Sequence, residues 1–200
     1  MLLAGIKSRP SYTGLVLDPQ ARRHLILAEG EGALAITELA ARAADDFLAR
    51  AAILYAASQP ATDCAQRLAA LGADTCTVFP TIPTLLVRFA GILATATMGT
   101  RLYVSGTEGF IGEVIQLAVA HGIDHRSIVT EHRGSLARRV QCVHCKGITE
   151  QVTTNIVRCA HCGANLLVRD HYSRRIGAFM GVSADAEAPG ELPPIEERFR

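Results

Sequence analysis

Four of the six cysteines stand in two Cys-x-x-Cys pairs, Cys142-Val-His-Cys145 and Cys159-Ala-His-Cys162, with thirteen residues from Lys146 to Arg158 between them. Two tight turns joined by a hairpin of that length place four thiolates around one tetrahedral ion, so Cys142, Cys145, Cys159 and Cys162 are the expected metal ligands. The residue after the second cysteine of each pair often needs an unusual backbone conformation. Gly163 meets that need directly, and Lys146 followed by Gly147 meets it more loosely. Both zinc and a rubredoxin-like iron accept four thiolates, and zinc is the favoured ion. A closed four-sulfur shell leaves no open coordination position, which makes the site structural: it lets a small hairpin module fold that could not bury an adequate core alone. His144 and His161 lie between ligands of each pair, with rings expected to point away from the ion.

Two disulfides are the bland alternative. The chain opens Met-Leu-Leu-Ala-Gly-Ile-Lys-Ser-Arg, without the long apolar stretch of a secretion signal, so a reducing cytoplasm is expected and metal is favoured over disulfides. A catalytic redox pair would be a single Cys-x-x-Cys beside a βαβ unit, whereas here two stand in tandem. Cys64 and Cys76 read as inert core thiols on a helix and a strand. No Ser-His-Asp set or paired carboxylates stand out, so no catalytic residue is assigned.

The remaining sequence must position this module. Its 200 residues allow one ordinary domain plus a small appendix, and 49% hydrophobic with 20% charged residues describes a chain able to bury a core. Mean hydropathy of +0.22 is high for a soluble monomer and suggests a covered partner surface. No apolar run reaches membrane-spanning length, since Arg88 interrupts the segment from Leu85 to Met98. Charge is segregated: residues 1–131 hold ten Lys/Arg against twelve Asp/Glu, residues 132–180 eight against two, and residues 181–200 two against five. The metal module is therefore basic. It lacks the interleaved aromatics of a nucleic-acid surface, which speaks against DNA or RNA and leaves an acidic protein surface as partner.

Residues 1–23, with Pro10, Gly14 and Pro19, read as a lead-in segment with one strand at Gly14–Leu17. From His24 an alternation begins. Strands are expected at 24–28, 51–57, 74–79, 101–105 and 127–131, with helices at 33–49, 61–71, 84–97 and 108–121 between them. Short continuous apolar strands alternating with helices predict an α/β fold, a doubly wound parallel five-stranded sheet over residues 24–131. A basic linker (132–139), the four-cysteine ribbon (140–170) and a tail (171–200) follow. The tail's apolar stretch, Ile176–Val182, is expected to dock on a partner or wrap back.

The segments His24-Leu-Ile-Leu-Ala-Glu-Gly-Glu-Gly32, Ile53-Leu-Tyr-Ala-Ala-Ser58, Leu102-Tyr-Val-Ser-Gly-Thr-Glu-Gly-Phe-Ile111 and Ile128-Val-Thr-Glu131 resemble the pyridine-nucleotide domain of ferredoxin reductases of the phthalate dioxygenase reductase type. Joined to the two cysteine pairs and Asp170-His-Tyr-Ser-Arg-Arg-Ile-Gly-Ala-Phe-Met-Gly-Val182, they make the whole chain similar to the small DmmA-type subunits of bacterial dimethylamine monooxygenase. That resemblance implies a multi-subunit oxygenase that demethylates dimethylamine. Haem would sit in one partner subunit, and flavin, iron–sulfur and NADPH handling in a reductase subunit, with this chain the third and non-catalytic member. An iron-bearing electron carrier of the same class is the alternative. Only 23 residues precede His24, so no flavin barrel is expected here, and the Cys-x4-Cys-x2-Cys of a plant-type cluster is absent. The nucleotide pocket departs from the reductases too. Glu29 and Glu31 flank the glycines, Ala33-Leu-Ala replaces Thr-Pro at the helix start, Gln59 stands where an Arg is common, and Ser105 replaces a Cys. Carboxylates at a helix N-terminus compete with phosphate, so a degenerate site without nucleotide is expected.

Overall fold

In the computed structural model, residues 8–44, 46–57 and 64–200 are described. They divide into two compact units, one spanning Tyr12–Gly134 and the other comprising Ser135–Arg200 with residues 8–11.

The first unit contains strands β1 (Arg23–Glu29), β2 (Ala51–Ala56), β3 (Thr75–Phe79), β4 (Thr100–Gly106) and β5 (Ile128–His132), with helices α1 (Gly32–Ala40), α2 (Cys64–Ala69), α3 (Ile82–Leu93) and α4 (Glu108–Ala120). All strand pairs are parallel and the order is β3-β2-β1-β4-β5, the doubly wound sheet expected from the alternating apolar runs. Alternate residues of β1 feed two cores. Ile26 and Ala28 join Ile36 and Leu39 of α1 and Leu68 of α2 on one face, while Leu25 and Leu27 join Phe89 of α3 and Phe110 and Val114 of α4 on the other. None of the helices is long and apolar enough to cross a membrane among the described residues.

Three local expectations change. Residues 14–17 form no strand. Leu15 is instead buried in the first core, and its N–H donates to Glu131 Oε2 at 2.9 Å. Helix α1 stops at Ala40 rather than continuing to Ala49. Ala43 and Phe47 still pack inward, but through turns and a 3-10 segment at Leu48–Arg50, because periodicity fixes which residues face the core and not the backbone path joining them. Helix α3 starts at Ile82, ahead of the expected Thr84. The Thr81 hydroxyl caps the Thr84 N–H at 3.4 Å, and Pro83 sits in the first turn, where its missing N–H has no intrahelical partner to lose.

The second unit is a five-stranded sheet from β6 (Arg138–Cys142), β7 (Ile148–Val152), β8 (Ile156–Arg158), β9 (Asn165–Ser173) and β10 (Ala178–Ser183), ordered β7-β6-β10-β9-β8. Residues read as a linker and a tail here take structural positions. Arg138 is 4% exposed and pairs with Asp170 at 2.9 Å, its guanidinium lying 3.8 Å from the Phe179 ring and 3.9 Å from the Phe199 ring. Ala178, Phe179 and Gly181, from the stretch read as a docking patch, are buried in the middle strand. A Cβ on Gly181 would lie 2.7 Å from Val140, so glycine is what lets β10 approach β6. The chain end is tied back as well. Arg198 and Phe199 N–H groups donate to Thr153 O, and Asn155 brackets Pro194 and Glu196.

One buried titratable group sits at the amino end of the first sheet. His24 Nδ1 is 3.1 Å from the Tyr103 hydroxyl, its ring packs edge-on to Phe47, and Nε2 has no hydrogen-bond partner among the described residues. Burial first, and then the nearby Arg50 charge, push its pKa below the ordinary histidine value, with Asp18 and Asp46 opposing. The unfolded chain therefore binds a proton that the folded chain refuses. Stability is full above about pH 6.5 and falls as pH drops from there toward the depressed folded value. Thermal melts from about pH 7.5 to about pH 5 should show a steeper acid loss for the wild type than for His24→Leu, which has no such proton to take up.

Candidate metal centre and switch-point crevice

Both cysteine pairs sit in turns built on one plan. Cys142 O accepts from Lys146 N–H at 2.9 Å while Cys142 N–H donates to Gly147 O at 2.9 Å. Cys159 O likewise accepts from Gly163 N–H at 3.0 Å while Cys159 N–H donates to Ala164 O at 2.8 Å. The matching position in each turn is left-handed, φ +64° at Lys146 and φ +76° at Gly163. The turns are tied together by His161, whose ring packs on Gly147 and whose Nε2 lies 2.9 Å from Ile148 O, and by Ala160 N–H donating to the Thr149 hydroxyl. His161 is thus a bridge between the turns, whereas His144 is simply exposed.

This brings all four sulfurs within 4.8 Å of one another. Cys142 Sγ to Cys162 Sγ is 3.8 Å and Cys145 Sγ to Cys159 Sγ is 3.7 Å. Metal–sulfur bonds of about 2.3 Å set tetrahedral edges of about 3.8 Å, so the donor set fits a single tetrahedral ion. Cys142 and Cys159 are buried and belong to the second unit's core, while Cys145 and Cys162 face outward. The electrostatics point the same way. Backbone N–H groups of Cys162 and then His161 hold the Cys159 thiol down at about 6. At Cys162 the Ala164 N–H favours the thiolate, yet desolvation and the sulfurs of Cys145, Cys159 and Cys142 outweigh it and leave that thiol at about 11. Four sulfurs this close cannot all ionise without a cation among them. The other two cysteines belong to the first unit: Cys64 is buried, and Cys76 is half-buried on the edge strand β3 with its thiol pushed up by desolvation.

In an open parallel sheet, ligands bind beyond the carboxyl ends of the strands where the order reverses, here between β1 and β4. Sequence reasoning placed the effect of Glu29 and Glu31 at α1. Glu31 occupies the N-cap position of α1 without making a side-chain cap, and the Glu29 carboxylate turns to the other helix. Glu29 is 7% exposed, and its Oε2 accepts from both Thr107 N–H at 3.0 Å and the Thr107 hydroxyl at 2.9 Å, at the N-cap of α4. Gly32 is packed so closely on β4 that a Cβ would lie 2.1 Å from Ser105 O. Ser105 donates to Glu131 O, and Arg133, whose N–H donates to Gly106 O, pairs with both Glu131 at 2.6 Å and Glu38 at 2.7 Å. Apart from the Arg133–Glu131 pair, these contacts join residues far apart in sequence, with no local signal. Gln59 lies outside the described residues.

Comparison with known proteins gives matches over nearly the whole chain. Residues 4–128 match the family described as dimethylamine monooxygenase subunit DmmA-like, N-terminal domain, and residues 139–182 match the corresponding C-terminal domain. The heme-dependent oxidative N-demethylase delta subunit of Ectopseudomonas mendocina (strain ymp) is 30% identical over 182 residues, 91% of this chain and 91% of that protein. Among solved structures, phthalate dioxygenase reductase aligns at TM-score 0.49 and 15% identity, covering 68% of this chain and 46% of that one. Full-length CYP116B46 from Tepidiphilus thermophilus aligns at TM-score 0.45 and 21% identity, covering 70% of this chain and 20% of that one. The chain spans less than half the length of either.

The two turns set opposite expectations for similar substitutions. Gly163→Ala forces a Cβ into the left-handed region and should cost the second unit about 1 kcal/mol, whereas Lys146→Gly relieves the same strain and should be neutral or stabilising. Chemical denaturation of both variants checks the difference in sign.

Proposed function

The chain belongs to the DmmA-like family of dimethylamine monooxygenase subunits, and we propose that it is a non-catalytic subunit of a haem-dependent oxidative N-demethylase acting on dimethylamine. In this role it joins a haem-bearing oxygenase subunit to a reductase subunit that carries the flavin and iron–sulfur groups and takes electrons from NADPH, in the cytoplasm. The observation that carries the proposal is the 30% identity to the Ectopseudomonas mendocina delta subunit, since it extends over both units rather than over the sheet alone. The switch-point geometry supports a docking role over nucleotide chemistry, because the donors that would meet a phosphate at α4 are already held by Glu29.

We assign Cys142, Cys145, Cys159 and Cys162 as ligands of one structural zinc. The ion supplies no chemistry of its own in this reading. It neutralises four clustered thiolates and fastens the two turns of a small module. Four thiolates around a dication carry net negative charge, which lowers the basic surplus of residues 132–180. Arg133, Arg138 and Arg139 are moreover already paired, with Glu38 and Glu131, Asp170, and Glu150. Less free positive charge remains than the sequence suggests, which favours a protein partner over nucleic acid.

Metal analysis of the purified chain should find one zinc per chain and colourless protein; a red chromophore with iron would replace this assignment by an electron carrier. Cys142→Ser should release the ion and unfold the second unit while the first persists on its own cores, since structural zinc commonly contributes on the order of 10 kcal/mol or more to modules of this kind. Retention of stoichiometric metal by that variant would refute the ligand set. For the assembly, co-expression with the haem and reductase subunits should give a complex on size exclusion, and the isolated chain should neither oxidise NADPH nor demethylate dimethylamine. A stable monomer indifferent to both partners, or turnover by the chain alone, would overturn the role.

A further inference from the structure

A buried carboxylate with no cation paired to it among the described residues needs an explanation. Glu29 ends β1 at the reversal point of the sheet, and among the described residues its hydrogen-bond partners are the Thr107 N–H and the Thr107 hydroxyl, with no ion pair to it. Both donors converge on one oxygen, Oε2, at 3.0 and 2.9 Å. Thr107 is the N-cap of a thirteen-residue helix, so the positive end of the α4 dipole also falls on this carboxylate. The backbone beside it is open in the way a bound anion requires, because Gly106 has no side chain and a Cβ there would lie 3.0 Å from Glu29 Oε2. Converging N–H and hydroxyl donors, a helix dipole and a glycine that admits a close approach together make an anion environment, and the anion present is the chain's own.

We propose that Glu29 is a tethered stand-in for a phosphate group, holding the start of α4 against the end of β1 and keeping free phosphates out of the crevice. This rests on the reading of the first unit as a domain that no longer takes a nucleotide, and deepens it by naming the residue that closes the site. A tethered group competes at an effective concentration in the millimolar range or above, so dissolved anions do not displace it. Once the carboxylate is removed, the same donors become available to a phosphate from solution.

The test uses the full-length chain with inorganic pyrophosphate as probe and sodium chloride at matched ionic strength as control. Two readouts are followed, the thermal midpoint and hydrogen exchange of the amides at Thr107–Phe110, the latter confined to the first unit so that any effect of pyrophosphate on the metal module is not mistaken for binding. The wild type should respond to pyrophosphate no more than to chloride. Glu29→Ala should melt lower by about 5 °C or more and exchange faster at the start of α4, and pyrophosphate should restore most of both losses. The milder Glu29→Gln, which keeps the shape and removes the charge, should respond in the same sense with a smaller shift. A wild-type gain equal to that of the variants would mean that the crevice is already open, and would overturn the proposal. Variants indifferent to pyrophosphate, or unfolded at every concentration of it, would overturn it as well, because the carboxylate would then be no replaceable ligand. None of these outcomes bears on subunit assembly, which is read by co-purification.

Discussion

Four sulfur atoms within 4.8 Å of one another are the constraint on which the second unit depends. As thiolates they repel, and as thiols they would bury weak hydrogen-bonding groups where a small core has little to spare. A cation held among them would resolve this. The module's two turns repeat one hydrogen-bond plan, N–H groups aim at the sulfurs, and His161 locks one turn to the other. Two of the sulfurs, those of Cys142 and Cys159, are also core residues beside Val140, Leu166 and Phe179. Sulfur cluster and hydrophobic core are therefore one structure, and neither can be altered without the other responding.

The first unit solves a different electrostatic problem by internal means. A doubly wound sheet gathers donors and helix dipoles at its carboxyl edge, and in a nucleotide-binding domain the ligand satisfies them. Here the chain meets those at the start of α4 itself, with Glu29 on Thr107, while Ser105 donates to Glu131 O and Arg133 joins both Glu38 and Glu131. Arg138 in the second unit follows the same logic with opposite sign, a buried cation held by Asp170 and enclosed by Phe179 and Phe199. In both units, buried charge is answered from within the unit that contains it.

Local patterns were legible in the sequence and long-range pairings were not. The order of strands and helices followed from apolar runs and their glycine or proline boundaries, and the four sulfurs from their spacing, because those signals are carried by neighbouring residues. The end of α1 escaped because Ala43 and Phe47 keep helical spacing while the backbone has left the helix. Leu15 was placed on a strand since an extended, buried segment has the same composition whether or not it joins a sheet. The destination of Glu29 was misread for a related reason: it stands three residues before α1, yet its partner Thr107 lies 78 positions away. Arg138 looked like part of a basic linker because nothing near it in sequence announces Asp170 or Phe199.

The high apolar content takes on a different meaning once the cores are counted together. It had suggested a covered surface, with Ile176–Val182 as the obvious patch. That stretch is instead divided by the sheet: Ala178, Phe179 and Gly181 face inward, and Met180 and Val182 are half-buried. Strands β1 and β2 are buried along nearly their whole length on both faces, which requires apolar residues at consecutive positions rather than alternate ones. A two-faced sheet plus a separate small core raises hydropathy without requiring a covered surface. The apolar side chains that do reach solvent, such as Val16, Val87 and Met98, come from a loop, a helix and a turn. The proposed docking role therefore draws its support from kinship rather than from hydropathy.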